Sequence, residues 1–245
     1  MDNTLMIALT NQRLLRDRMD IVANNMANVS TTGFKVEAPL SRELAEKPAL
    51  ATDQPHDIRF VEAFALQRDM RQGPMARTGN ALDLAIEGEG FFSVRQGQGT
   101  AYTRDGRFTP NDAGVLVDRE GRAVLDDAGG EITLNPQGGP VEISPGGLIR
   151  QGGAEVARLA IVSFPTPGAL EKLGDNLWGV SDEQPQPMDT PTVRQGMLEG
   201  SNVNAVLELT RMMEISRAYE NATRVVRNTD ELRSRAIDRL GRVGG

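Results

Sequence analysis

The sequence predicts an α+β protein: a central all-β domain flanked by long N- and C-terminal α-helices that pair as an antiparallel coiled coil. Three observations lead there. Apolar residues recur at steps of three and four near both ends. In the middle the apolar period falls to two. Turn residues punctuate that middle about every ten positions, the spacing of a β-rich body.

The first helix is written by Leu5, Ala8, Leu15, Met19, Val22, Met26 and Val29, with Gln12 at the one polar seam position. No proline or glycine interrupts the run before Gly33. The last helix is expected from Val203 to Leu240, after the cap residues Ser201 and Asn202. Its apolar positions Met212, Ile215, Tyr219, Ala222, Val226, Thr229, Leu232, Ala236 and Leu240 oppose a charged face of Arg211, Glu214, Arg217, Glu220, Arg224 and Arg227. Between the helices, Leu82, Leu84 and Ile86 share one strand face, and Phe91, Phe92 and Val94 begin another strand after "GEG". Turns are expected at Asp105-Gly106, "PNDAG", "REG", "DDAGG" and "PGG", with "EVARLAIVSF" (155–164) as the longest strand. Phe91, Phe92, Tyr102 and Phe108 read as β-core. Proline-bearing stretches on either side read as extended connectors, which gives an order of parts. Residues 1–35 are helix and turn, 36–77 connector, 78–182 β domain, 183–202 return connector and 203–245 helix.

One helix enters the β body and the other leaves it, so a pair would run antiparallel. The same pattern also fits terminal helices folded back on the sheet. A narrow two-helix seam buries too little to order itself, so the arms are expected to need neighbours: largely unfolded in a monomer and ordered on self-assembly or partner binding. Leu15, Met19, Val22, Met26, Leu209, Met213 and Tyr219 are the expected seam.

Composition narrows the chemistry. The net charge of −7 argues against a nucleic-acid binder. Eight arginines between Arg211 and Arg242 are interleaved with Glu214, Glu220, Asp230, Glu231 and Asp238, which reads as a solvated or subunit-pairing face. There is no cysteine, hence no disulfide or thiolate metal site, and the one histidine, His56, reads as an ordinary loop residue. "GEGFF" lacks the Lys-Ser/Thr ending of a phosphate loop, and "DREG" and "DDAGG" lack the closing glutamate of a calcium loop. Neither a cofactor, a metal nor an enzymatic activity is expected. No apolar window reaches the length of a membrane span, and charged residues interrupt every signal-peptide-like window at the N-terminus.

The distinctive run is "ANNMANVSTTGFK". Asn24, Asn25 and Asn28 lie three and four apart on one helical face, followed by hydroxyls and Gly33. One asparagine suffices to stop a helix; three closely spaced ones call for more. Ala23-Asn24-Asn25-Met26-Ala27-Asn28 with Thr32-Gly33-Phe34-Lys35 resembles the signature of the bacterial flagellar rod, hook and hook-associated axial proteins. "TGNALDLAIEGEGFFSV", "YTRDGRFTPNDAGVLVDREG" and "GMLEGSNVNAVLELTRMMEISRAYENATRVV" are similar to further segments of that family, in its order, the last including Arg217-Ala218-Tyr219-Glu220. The two ends look most like proximal-rod members, while distal-rod members share the middle.

The resemblance implies a structural subunit of the hollow shaft that crosses the periplasm, in the flagellar basal body. It implies export, unfolded and without a cleaved signal peptide, through the flagellar type III apparatus. It implies partners among other rod proteins and copies of the chain itself, with no direct membrane insertion. In such a tube the terminal helices would line the inner wall and residues 19–35 join that wall to the outer body. The amides of Asn24, Asn25 and Asn28, which donate and accept at once, are then expected to tie neighbouring subunits, with Thr32, Gly33 and Phe34 in the same interface. A distal-rod or short hook-type subunit is the alternative within the family, and a self-associating helical binding module the alternative outside it.

Overall fold

Apolar doublets explain the centre of this protein. In a strand, neighbouring side chains point to opposite faces, so "FF", "AY", "IV" and "LW" can all be buried only if both faces of the sheet are covered. The computed structural model describes residues 2–41, 64–166, 168, 170–180 and 184–243. Helix α1 spans Asp2–Ala27 and α2 spans Ala205–Val243. Between them run β1 (Glu37–Ser41), β2 (Phe64–Arg68), β3 (Met75–Arg77), β4 (Leu84–Ile86), β5 (Phe91–Gln96) and β6 (Gly99–Thr103). Then follow β7 (Thr109–Pro110), β8 (Leu116–Val117), β9 (Val141–Ile143), β10 (Leu148–Gln151), β11 (Ala154–Arg158) and β12 (Ile161–Ser163). The series closes with β13 (Leu170–Gly174), β14 (Leu177–Val180), β15 (Gln186–Pro187), β16 (Val193–Gln195) and β17 (Met197–Glu199).

The chain divides into two compact units. One holds residues 1–24, 37–68 and 206–245, with the ribbon β1–β2 paired antiparallel from Glu37↔Arg68 to Ser41↔Phe64. The other holds residues 25–36 and 69–205. Its main sheet has the order β13-β14-β6-β5-β12-β15, antiparallel throughout. One face carries Phe92, Val94, Ala101, Ile161 and Leu177 into the larger core, where Phe92 meets Phe108 edge to face at 5.2 Å. The other carries Phe91, Tyr102, Val162 and Trp178 into a smaller core with Phe164 and Leu170. Phe91, Phe92, Tyr102 and Phe108 are accordingly all buried.

The turns repeat one design. Asn111, Asp118 and Asp126 each accept, through Oδ1, backbone N–H groups two and four residues on. Each is followed at the third position by a glycine with φ near 80°: Gly114 at 81°, Gly121 at 82° and Gly129 at 80°. A short polar side chain that replaces a backbone acceptor, followed by a left-handed glycine, closes a tight turn without a long loop.

Two expectations change. The long strand over 155–164 is broken: β11 belongs to the sheet β11-β10-β9 and β12 to the main sheet. At the break the Leu159 N–H donates to Gly147 O and the Ala160 N–H to Leu125 O, so the backbone changes partners and sheets there. The antiparallel coiled coil is also not what the structure has. Two helices flank a largely antiparallel β domain, and one contact between them is polar, Gln12 Nε2 donating to Thr223 Oγ1 at 2.9 Å. A coiled coil needs apolar knobs seated in facing holes along its length. Here Leu209, Met213, Tyr219 and Val225 instead keep 39–51% of their surface open. His56 and most of the 36–77 connector, residues 42–63, lie outside the described residues.

Candidate functional site

The helix α1 does not stop abruptly. The N–H groups of Asn28 and Val29 donate to the carbonyls of Asn25 and Met26, three residues back, which tightens the last turn. Thr31 N–H then donates to Asn28 O, and Thr31 Oγ1 donates to Asn28 Oδ1 at 3.1 Å. Gly33 follows at φ 70°, and a Cβ there would lie 2.6 Å from the Arg104 carbonyl carbon. Position 33 thus needs glycine twice, for its left-handed backbone and for the close approach of the Arg104–Asp105 backbone that follows β6.

From Gly33 onward the chain is bound into the β body. The Gly33 N–H donates to Glu199 O at 2.8 Å. Asn176 Nδ2, at the tip of the β13–β14 hairpin, donates to Thr32 O at 3.0 Å. Lys172 Nζ lies 4.7 Å from the ring centroid of the buried Phe34, a cation–π contact. Asn202, just before α2, accepts the Val36 N–H on Oδ1 at 2.7 Å and donates through Nδ2 to Asp69 O and Arg71 O. The exit from α1, the extended segment 69–74 and the approach to α2 therefore meet in one place.

Their centre is a buried ion triad. Glu199 Oε1 accepts from Lys35 Nζ at 2.6 Å and from the Gly73 N–H at 3.0 Å, and Oε2 accepts from Arg104 Nη1 at 3.0 Å. All three side chains are 4% exposed or less. Lys35 also donates to Arg71 O, and Arg104 to Ile86 O and Gly88 O, with its guanidinium 5.1 Å from the Phe91 ring centroid. Burial pushes the Lys35 ammonium below its usual 10.5, with Glu199 pulling the other way, and burial lowers Arg104 against the same carboxylate. Two cations share one carboxylate, and backbone carbonyls and a ring face take up the surplus positive charge.

Of the residues expected from sequence, Thr32, Gly33 and Phe34 are buried in this junction, and Asn25 is fully buried at the end of α1. Asn28 is half-buried and Asn24 exposed. Leu15 and Val22 are buried, Met19 and Met26 half-buried. Leu209, Met213, Arg217, Tyr219 and Glu220 are exposed on α2 and take no part in the junction. Sequence reasoning missed Lys35, Arg104, Glu199 and Asn202 as site residues. Each lies inside or beside a motif already singled out, as a charged or amide side chain among turn and apolar residues.

Three segments of the chain match known protein families. Residues 3–35 match the family described as flagella basal body rod protein, residues 85–151 the flagellar hook protein FlgE/F/G D1 domain, and residues 194–239 the flagellar basal body rod FlgEFG protein C-terminal region. The chain is 46% identical over 244 residues to the flagellar basal-body rod protein FlgF of Caulobacter vibrioides, covering 99% of this chain and 100% of that one. It is 34% identical to FlgF of Rhizobium meliloti, over 98% and 99% of the two chains. It is 31% identical to the flagellar basal-body rod protein FlgG of Agrobacterium fabrum, over 94% and 96%. The junction is built from residues at the end of the first matched segment, inside the second and inside the third, and full-length likeness joins all three: the chain belongs to the flagellar basal-body rod protein family.

Proposed function

We propose that this chain is a structural subunit of the proximal part of the rod, polymerising through its terminal helices into a hollow shaft that transmits torque and forms part of the export channel. The observation that carries this reading is the apolar surface left open on α2. Val206 is 75% exposed, Leu209 51%, Met213 47% and Val225 50%. Val206, Leu209 and Met213 are spaced by three and four, so they form one row along the helix. Isolated exposed apolar residues are ordinary, but a row on one helix face fits a neighbouring helix.

The partners in this reading are other rod proteins and copies of the chain. Exposed Asn24, Leu209, Met213, Arg217, Tyr219 and Glu220 offer the contacts. Buried Leu15, Val22, Asn25, Thr32, Gly33 and Phe34 act by holding their own segments in shape. The role is mechanical rather than catalytic, and the chain reaches the shaft through the flagellar type III apparatus. Among the described residues, no helix is long and apolar enough to cross a membrane. The likeness to FlgG proteins keeps a distal position as the second reading; the higher identity to FlgF relatives favours the proximal one.

The test is a double variant, Leu209→Glu with Met213→Glu. Both side chains are about half exposed, so the thermal midpoint of the purified chain should move by less than about 4 °C. Incorporation into purified basal bodies, scored by electron microscopy and immunoblotting, should fall to background. Normal incorporation and swimming would sink the reading.

A further inference from the structure

The triad of Lys35, Glu199 and Arg104 is a poor way to gain stability. It holds two cations against one carboxylate in a dry site, and Arg104 Nε is buried without a hydrogen-bond partner. Replacing buried ion clusters by apolar side chains of similar volume is often neutral or stabilising, whereas directional polar contacts select one arrangement among several.

What this cluster selects is visible in its geometry. Glu199 makes four contacts to three separate pieces of chain. Its carboxylate reaches Lys35, Gly73 and Arg104, and its own backbone carbonyl accepts from Gly33. The pairing β3–β17 puts Glu199 opposite Met75, the last pair of that ladder. Apart from Glu199 this ladder buries little, Met75, Met197 and Leu198 being half-buried and Ala76 and Arg77 exposed. Its side-chain pattern therefore specifies register weakly, and a one-residue slip reverses which side chains face inward. A slip here would turn Glu199 away from both cations and leave them buried together. The penalty falls on the wrong registers, not on the right one.

We propose that the triad is a registry lock: it sets which residues of the α1 exit (31–36) and of the α2 approach (199–203) are held side by side on the β body, and contributes little to the stability of the chain. The inference concerns the folded chain alone and does not depend on polymerisation.

The experiment uses the full chain carrying Lys35→Met, Arg104→Met and Glu199→Leu together, with a single Lys35→Met variant beside it. The triple variant should melt at or above the wild-type midpoint. Hydrogen exchange at the Gly33, Val36 and Asn202 amides should nevertheless speed up at least ~10-fold, while the Phe92 and Val94 amides keep their rates. In the single variant Arg104 still holds Glu199, so Gly33 and Val36 should accelerate less than ~3-fold. Native exchange at all three junction amides in the triple variant overturns the proposal. So does a triple variant that is unfolded or melts well below wild type, because the triad would then be a source of stability. Equal acceleration in the single and triple variants overturns it as well, since one ammonium would account for everything.

Discussion

Glu199 is the residue on which the junction turns, and its neighbours make its removal asymmetric. Changing Glu199 to Gln keeps size and shape but leaves Lys35 and Arg104, both buried, with no counter-charge. Breaking a buried pair in this way costs about 3–5 kcal/mol. Changing Lys35 to Met removes a cation that burial already disfavours and leaves the Arg104–Glu199 pair intact. Urea unfolding should therefore rank Glu199→Gln as the more destabilising by at least ~2 kcal/mol. Equal losses would mean that the carboxylate does not balance both charges. Nothing in the sequence announces this arrangement. Lys35 and Glu199 are 164 positions apart, and Arg104 and Glu199 are 95 apart. Periodicity reports local geometry only, so the motif residues Thr32, Gly33 and Phe34 are legible while the charges that hold them are not.

Among the elements, the two helices were readable because each is long and uninterrupted: α1 ends at Ala27, where the asparagines gather, and α2 begins two residues after the Val203 expected. The buried strands were readable where doublets or alternation marked them, as at Phe91-Phe92. "EVARLAIVSF" was not: its first half, β11, lies largely exposed and its second half, β12, largely buried, and the change of sheet at Leu159 and Ala160 follows backbone partners that the local residue pattern does not name. The coiled-coil pairing failed for a related reason. An apolar stripe shows that a helix has something to bury and does not say whether the partner is in the same chain. Phe92, wholly buried in β5 and stacked edge to face on Phe108, marks the element with most to lose. Phe92→Ala should cost about 3–5 kcal/mol by chemical denaturation, through lost burial and the cavity left behind. A loss below about 1 kcal/mol would show that the larger core closes over the gap.

At the scale of the whole molecule, the β body and the helical unit differ in how much of their own surface they cover. The main sheet is buried on both faces, whereas α2 carries Val206, Leu207, Leu209, Met213, Tyr219 and Val225 open to solvent. Helices with so little buried against them are marginal in water. In the monomeric chain, amides of residues 212–229 should exchange at least ~100-fold faster than those of residues 91–95 and 101–103, and slow on assembly. Comparable protection in a verified monomer would contradict this. Glu199 also has a consequence in time. A chain that emerges from its N-terminus presents Lys35 early, but the carboxylate that receives it comes 164 residues later. Closing so wide a loop is slow and must wait for the strands between to settle. The leading helix therefore stays untethered at its exit until most of its own chain has arrived.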